Sequence, residues 1–450
     1  MGYAAGRVLR LAAILVVLAG ATAHANPASL VPGGTDPDLT TPTGVSQSKV
    51  LIVGSVDYAY ESDTASIVRE SIGDPTADPL APLPTHRDLK FKQFRHTITP
   101  RIDVGVYHDF FVYGALPIVI TQARELNLDT GVARAGSSTI VDGLVPMAGF
   151  DARDPNTPTP GDLIFRGPTR KGLDQVHLGI GYAPMNQVRD DTKPTWKLGA
   201  EVRLAFGRVA KFDPVAPNAN TAVGRGVHEL RLWTSFDRRL GWAEPWVQLW
   251  WQVPLKATSD SLFTNPYSAF GATYTQKGQE AGVAFGFEAY AIDDPHDHNR
   301  ISLDLGARFV GHFEGRDYSE MWEAFAYAGD SRGTGPLILD GDPATPGLQA
   351  ASHPGISNLE NYFEYAGRVA LRAELGPHVR FAVLADFIKK TDHVITFADA
   401  GVDKDGNDLV NPGTAEVNPL HVDRIDLVGH RYRSQENFGF VIGVEGQLLF

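Results

Sequence analysis

Charged side chains recur at every second or fourth position through several apolar stretches of this chain. Arg101 and Asp103 stand two apart, as do Glu201 and Arg203 with Lys197 in the same phase, and Glu229 with Arg231. Glu280 and Glu288, Asp304 and Arg308, and Arg368 and Arg372 are spaced by even numbers too, and Arg380 and Glu445 sit in similar alternating runs. Side chains of an extended strand alternate between two faces, so even spacing collects these charges on one face. In "WKLGAEVRLAF" Trp196, Leu198, Val202, Leu204 and Phe206 occupy the other face. A wall carrying both signs of charge could select passing ions and polar solutes, or close on itself as a network of ion pairs. Glu364, Glu374 and Asp386 fall on the same face.

Other groupings suggest other chemistry. In "DKDGND" the residues Asp403, Asp405, Asn407 and Asp408 surround Gly406, and close-set oxygens about a glycine turn suit Ca²⁺. The spacing departs from the EF-hand pattern and no Glu closes it, so a plain Asp/Gly turn is the preferred reading. No other cofactor is expected. "DDPHDH" offers His296 and His298 to a transition metal, but its Asp and Pro also suit a tight turn. "SEMWEAFAYAG", 319–329, is the one helix-like patch, with Asp317 and Glu320 placed for a capping box. It is read as a short surface helix, with a constriction of the mouth as the alternative. The chain has no Cys, which excludes thiolate metal sites, cysteine nucleophiles and disulfides.

The elements that carry the charged face are long alternating strands. The pattern places them at 49–60, 92–107, 111–122, 173–185, 195–207, 226–239, 243–256, 278–291, 300–312, 362–375, 378–394 and 435–450. Pro117 suits the third poorly. Every odd-numbered connection between them is longer than every even-numbered one. A transmembrane barrel predicts that alternation, with short turns on the periplasmic side and long loops outside. Lipid offers no hydrogen-bond partners, so strands cross it only as a closed barrel, with the apolar face outward and the charged face in the lumen. The expected fold is therefore all-β: a single antiparallel up-and-down barrel of about twelve strands. Tyr182, Trp196, Phe236 and Trp242 are candidates for the periplasmic aromatic girdle, and Tyr58, Tyr60, Phe206 and Phe309 for the extracellular one. Gly199, Gly282, Gly286, Gly306 and Gly443 point inward and leave room, which favours a narrow pore over a filled lumen.

The first residues fit export. Arg7 and Arg10 precede the apolar run Leu11–Ala19 and the Ala-His-Ala at 23–25, the layout of a cleaved signal peptide over 1–25. A Pro/Gly/Thr-rich lead, 26–48, separates it from the barrel at 49–450. The formal net charge is -13, and losing those two arginines makes it more negative. An acidic chain lacks the basic surface that nucleic acid requires, so no nucleic-acid partner is expected.

A signal peptide followed by alternating strands and a final amphipathic strand, "GFVIGVEGQLLF", ending in Phe450 resembles the outer-membrane β-barrel proteins of Gram-negative bacteria. The resemblance implies residence in the outer membrane, contact with its lipid, and a C-terminal strand read by the barrel-assembly machinery, with Phe450 as the assembly signal. The leading expectation is a porin-like, non-enzymatic channel for small solutes. The contrasting expectation is a structural or surface-binding barrel with a blocked lumen acting through its loops. Twelve strands also resembles the outer-membrane phospholipase family, but the nearest match to its His and Ser, His353 and Ser357 in "HPGISN", has the wrong spacing and lies in a loop. No hydrolytic role is carried over.

Overall fold

The computed structural model describes residues 51–72, 83–107, 109–187, 190–264, 277–294, 299–376 and 378–450. The signal peptide, the lead, and His296 and His298 lie outside the described residues. The wall strands are β1 (Leu51–Glu70), β2 (Thr85–Tyr107), β3 (Phe110–Ala115), β4 (Ile118–Leu128), β5 (Val176–Met185), β6 (Thr195–Leu204) and β7 (Val227–Asp237). They continue as β8 (Ala243–Ala257), β9 (Glu280–Asp294), β10 (Asn299–His312), β11 (Tyr362–Leu375), β12 (Val379–Lys390) and β13 (Tyr432–Leu449). Each pairs antiparallel with its neighbours, and β13 returns to β1 through a ladder from Val53↔Leu449 to Arg69↔Tyr432. The result is a closed barrel of 12 strands, with β3 and β4 together forming one wall strand.

That wall strand breaks at Leu116–Pro117. Proline has no N–H for the ladder, and the Leu116 amide just before it makes the last bond of β3 to β2, to the Pro100 carbonyl. β3 then pairs with β5, while β4 pairs with the short segment Arg170–Leu173. The sequence pattern had one strand here, ending at 122. β1 and β2 also run further than the alternation indicated, to Glu70 and from Thr85, with 20 and 23 residues. A membrane needs about 9–11 residues per strand, so these outer ends rise beyond it. There both faces are covered: Ala65, Ser66, Ile67, Val68, Arg69 and Glu70 are all buried.

Within the membrane band one face is bare and apolar. Val56, Ile102, Ile120, Leu178, Ile180, Leu232, Leu249, Phe285, Leu303, Val369, Val383 and Val444 are all exposed. An aqueous fold does not display a belt of this extent, whereas a bilayer requires it. Among the described residues no helix is long and apolar enough to cross a membrane. Aromatic pairs flank the belt: Trp196 stacks on Phe236 at 5.5 Å, Trp242 is exposed, and Tyr58 donates to or accepts from His96 at 2.7 Å. Short turns join β5 to β6, β7 to β8 and β11 to β12 at one end, and long connections leave the other.

The long connections do not dangle. Leu144, Val145, Phe150, Ile164 and Phe165 from 129–175 pack with Ile67, Leu89, Leu126, Ile395, Ile425 and Tyr432 into an aliphatic and aromatic core above the barrel. Three short helices sit among them: α1 (Ser138–Val141), α2 (Trp322–Ala328) and α3 (Asp423–Asp426). This dome holds the only helix of more than one turn among the described residues, α2, directly over the lumen.

Candidate functional site: the barrel lumen

Strand alternation aims every charged residue singled out above into the barrel, and most meet a partner there. In the periplasmic half Arg101 grips Asp103 through two bonds of 2.7 and 2.8 Å and stacks over Tyr113. Arg372 bridges Glu288 at 3.1 Å and Asp304 at 2.6 Å, and Trp246 Nε1 donates to the same Asp304 at 2.9 Å. Arg380 meets Glu374 at 3.0 Å, and Gln447 donates to Glu445 at 2.8 Å. Lys197 is buried beside Ser235 on the next strand. In the outer half Arg203 meets Glu201 at 2.7 Å, and Arg308 meets Glu364 at 2.9 Å. Arg368 clamps Asp386 with two bonds of 2.7 Å. Lys277 joins Glu229 and Glu280, each at 2.7 Å, and Arg231 lies over the Trp250 ring.

The room expected at the inward glycines is taken. Gly199 is covered by Trp233, Gly282 by Trp250, Gly286 and Gly306 by Trp246, and Gly443 by Leu384. Gly179 and Gly181 lie under Tyr113 and Phe111 in the same way. A Cβ at Gly179, Gly181, Gly199 or Gly282 would collide with the ring beside it, so the glycine is what allows that ring to lie flat against the wall. Phe111, Tyr113, Trp233, Trp246 and Trp250 form one buried cluster, tied by a Trp233 Nε1 bond to Tyr113 at 3.2 Å. Joined to the Arg372–Asp304–Glu288 triad through Trp246, this cluster runs from the periplasmic end of the lumen up to Trp250, which lines the cavity above. The inward glycines are beds for neighbouring side chains and not open space.

Above the aromatic cluster lies a cavity of about 490 Å³ lined from nearly every wall strand. Its wall includes Glu61, Asp63, Arg95, Arg124, His177, Lys277, Arg308, His312 and Lys390. Tyr318 and Trp322 form its roof. The roof segment is anchored across the mouth: Arg124 donates to the Ser319 carbonyl at 3.4 Å and Ser434 to Glu320 at 3.0 Å. Glu323 meets Arg170 at 2.6 Å, both almost wholly buried. Trp322 lies between the guanidinium groups of Arg124 and Arg170, and Tyr318 packs edge-on against it at 4.9 Å. The segment is therefore a stopper in the mouth and not a surface helix. Nor does the capping box form: Asp317 accepts from the Tyr318 amide and Glu320 turns to β13, and Met321 at the N-cap of α2 offers no side-chain cap.

Several cavity residues were missed by sequence reasoning. Glu61, Asp63 and Arg124 fell outside strands ended too early, although their parity continues that of Asp57, Gln93 and Gln122. Lys277, Arg225 and Asp317 come from loops, which no periodicity announces.

The acidic loop does gather its carboxylates. Asp403 and Asp405 approach each other with Glu416, the Glu that the local pattern lacked. Asp403 accepts the amides of Asp405, Gly406 and Asp408, and Glu416 accepts those of Lys404, Asp405 and Asn411, while Asn407 bonds Asp405. These bonds hold both carboxyls below their usual range. The loop is thus closed by its own main chain, as a plain turn would be. His353 is buried and accepts from the Gly355 amide at 2.9 Å, with its imidazole pushed down to about 3 by burial and by Arg316. It makes no bond to Ser357, whose hydroxyl donates to Ser319.

No protein-family model matches the chain, and no curated protein matches it. Among solved structures it is similar to an outer membrane channel from Pseudomonas putida F1, at 7% identity and a TM-score of 0.37, covering 88% of this chain and 95% of that one. It is also similar to a FadL homologue of Pseudomonas aeruginosa, at 8% identity and a TM-score of 0.32, covering 89% and 90%. A third is the outer membrane protease OmpT of Escherichia coli, at 8% identity and a TM-score of 0.25, covering 89% and 97%. Likeness at this level transfers no residue's role.

Proposed function

We propose that this outer-membrane β-barrel is a channel for small polar solutes, held closed at rest by the stopper at 318–323 and by the aromatic floor. One observation carries the reading: a polar cavity of about 490 Å³, the size of a small-molecule site, lies between the two closures and draws charged side chains from the whole circumference. A barrel needed only as a scaffold would gain by packing that space. The stopper is held by polar contacts from several elements to one short segment, so it can leave as a unit. The floor is made of side chains that can turn while the hydrogen-bonded wall stays fixed. No catalytic role is assigned to any residue.

The test is ion conductance of refolded protein in a planar bilayer. The intact chain is expected to conduct little. Replacing 317–356 by a short Gly/Ser linker should raise conductance severalfold while the barrel keeps its heat-resistant gel mobility. A correctly folded barrel that stays silent after this excision would refute passage. The blocked barrel acting through its packed outer dome would then be the better account, since that dome has a core of its own.

A further inference from the structure

The cavity wall is electrically lopsided. On the side formed by β5 to β11 the charges are consumed in contact pairs: Arg203 with Glu201, Arg225 with Asp174, Lys277 with Glu229 and Glu280, Arg308 with Glu364. The other side, formed by β12, β13, β1, β2 and β4, carries Asp57 and the Arg368-bound Asp386, and beside them five further charges, Lys390, Glu61, Asp63, Arg95 and Arg124, all lining the same cavity. Among the described residues none of these five makes an ion pair. Glu61 and Arg95 are direct cross-strand partners, yet no salt bridge joins them. Gln93 is interposed between Asp63 and Arg124: its amide nitrogen donates to Asp63 at 3.1 Å and its oxygen accepts from Arg124 at 2.7 Å. Arg95 Nε is buried without a hydrogen-bond partner.

Partly buried charges left without an ionic partner are costly unless something else satisfies them. A guanidinium or ammonium can take a carboxylate, and a carboxylate can take an ammonium, each with charge-assisted bonds about twice as strong as neutral ones. Beside Asp57 and Asp386, three cations and two anions share this side with no ion pair among them. The complement is a solute carrying both signs at its two ends. We propose that this half of the lumen is a binding site for small zwitterions, with Arg95, Arg124 and Lys390 receiving the anionic end and Glu61 and Asp63 the cationic end. The proposal rests on the cavity being a solute site in a closed channel. The pairs on the far side are the insulating wall against which the solute lies.

A matched set of six-carbon compounds tests this without requiring transport. Purified full-length protein in detergent would be titrated calorimetrically with 6-aminohexanoate, adipate, 1,6-diaminohexane and 1,6-hexanediol. 6-Aminohexanoate should bind about tenfold tighter than the other three, the gain expected from one extra charge-assisted contact. Glu61→Gln should remove that advantage over adipate, and Lys390→Gln should remove it over the diamine. The wild-type ranking alone decides the matter if a variant does not fold. Adipate or the diamine binding best would overturn the proposal in favour of a single-sign site. Equal binding of all four, or none, would overturn it outright. Bilayer conductance of the stopper-excised barrel is read separately. Zwitterion binding without conductance sinks the channel and keeps the site, and conductance without selective binding does the reverse.

Discussion

Substituting Arg372 by Met should destabilise the barrel more than any single change on its outer surface. The guanidinium lies 2.6 Å from Asp304 and 3.1 Å from Glu288, and all three side chains are at most 4% exposed. Met keeps the apolar stem and deletes the charge, so two carboxylates remain buried with no cation between them. Trp246 Nε1 still serves Asp304 and Ser302 still serves Glu288, which softens the loss without neutralising either charge. Breaking a buried pair by removing one partner costs about 3–5 kcal/mol. With two acids stranded, the upper half of that range is expected. Leu303→Arg, one residue along β10 and facing lipid, sets the scale: an arginine at the bilayer midplane costs about 2–4 kcal/mol. The assay is reversible urea unfolding in phospholipid vesicles, followed by tryptophan fluorescence. Adding Asp304→Asn and Glu288→Gln to Arg372→Met removes the stranded charges and should recover most of the loss. A cost below about 1 kcal/mol for Arg372→Met would refute the reasoning, because surface-like ion pairs behave that way only in water. It would mean that the periplasmic half is wet and that the aromatic cluster is no floor.

Three further outcomes are expected. Cysteines at Asp154 and Ala344, both exposed on long connections, should react with an impermeant maleimide on whole cells, while one at Asp191 in the β5–β6 turn should react only after permeabilisation; the reverse pattern would invert the barrel. Asp426 is buried in the dome, and burial lifts its carboxyl to about 6, above the unfolded range near 3.9, so the folded dome favours the protonated form. Its contribution is fully present below about pH 4 and is lost as pH rises through 6, so hydrogen exchange around 396–398 and 422–432 should quicken across that window, and Asp426→Asn should abolish the step. Phe450→Ala should lower the amount of folded barrel in cells by removing the aromatic end of the closing strand while its main-chain bonds to Ile52, 2.9 and 3.3 Å, stay in place; an unchanged folded fraction would remove the side chain as an assembly signal.

Which parts of this architecture could be read in advance follows from range. The alternation at 195–204 or 299–312 is local and regular, so strand, face and charge placement were all legible, as Arg203 and Asp304 show. The outer ends of β1 and β2 were not, because there both faces are covered by loops and "TASIVRE" no longer alternates. The broken wall at Leu116–Pro117 was signalled by the proline, but the resumption at Ile118 was not. The dome was invisible for a different reason. Leu144, Phe165, Phe325 and Ile425 meet only through connections far apart in sequence, and no periodicity joins them. Glu416 reaching the acidic loop is a smaller instance of the same thing.

The inward glycines show how a correct local reading can reverse its meaning in three dimensions. Alternation placed Gly199, Gly282, Gly286 and Gly306 on the lumen face, and a missing side chain taken alone is space. Three of them, however, lie beside a Trp on the adjacent strand, Gly199 opposite Trp233, Gly282 opposite Trp250 and Gly286 opposite Trp246, and Gly306, opposite Gly286, is covered by the same Trp246 ring. An indole on a barrel wall must go somewhere, and the neighbouring glycine is the one position where it can lie flat instead of standing across the bore. The spacing that looked like an opening is thus the bed of the floor. That has a mechanical consequence for passage. The wall cannot widen without breaking inter-strand hydrogen bonds around the ring, so in the proposed channel a solute would cross by rotating Trp233, Trp246 and Trp250 away from their glycines. Replacing Gly199 or Gly282 by Val would evict its ring from that bed. The indole would then stand in the lumen or the wall would strain, and in either case passage through a stopper-free barrel should fall. If conductance instead rose in such a variant with the barrel intact, the rings would not be the floor, and the closure would have to lie in the Arg372 triad alone.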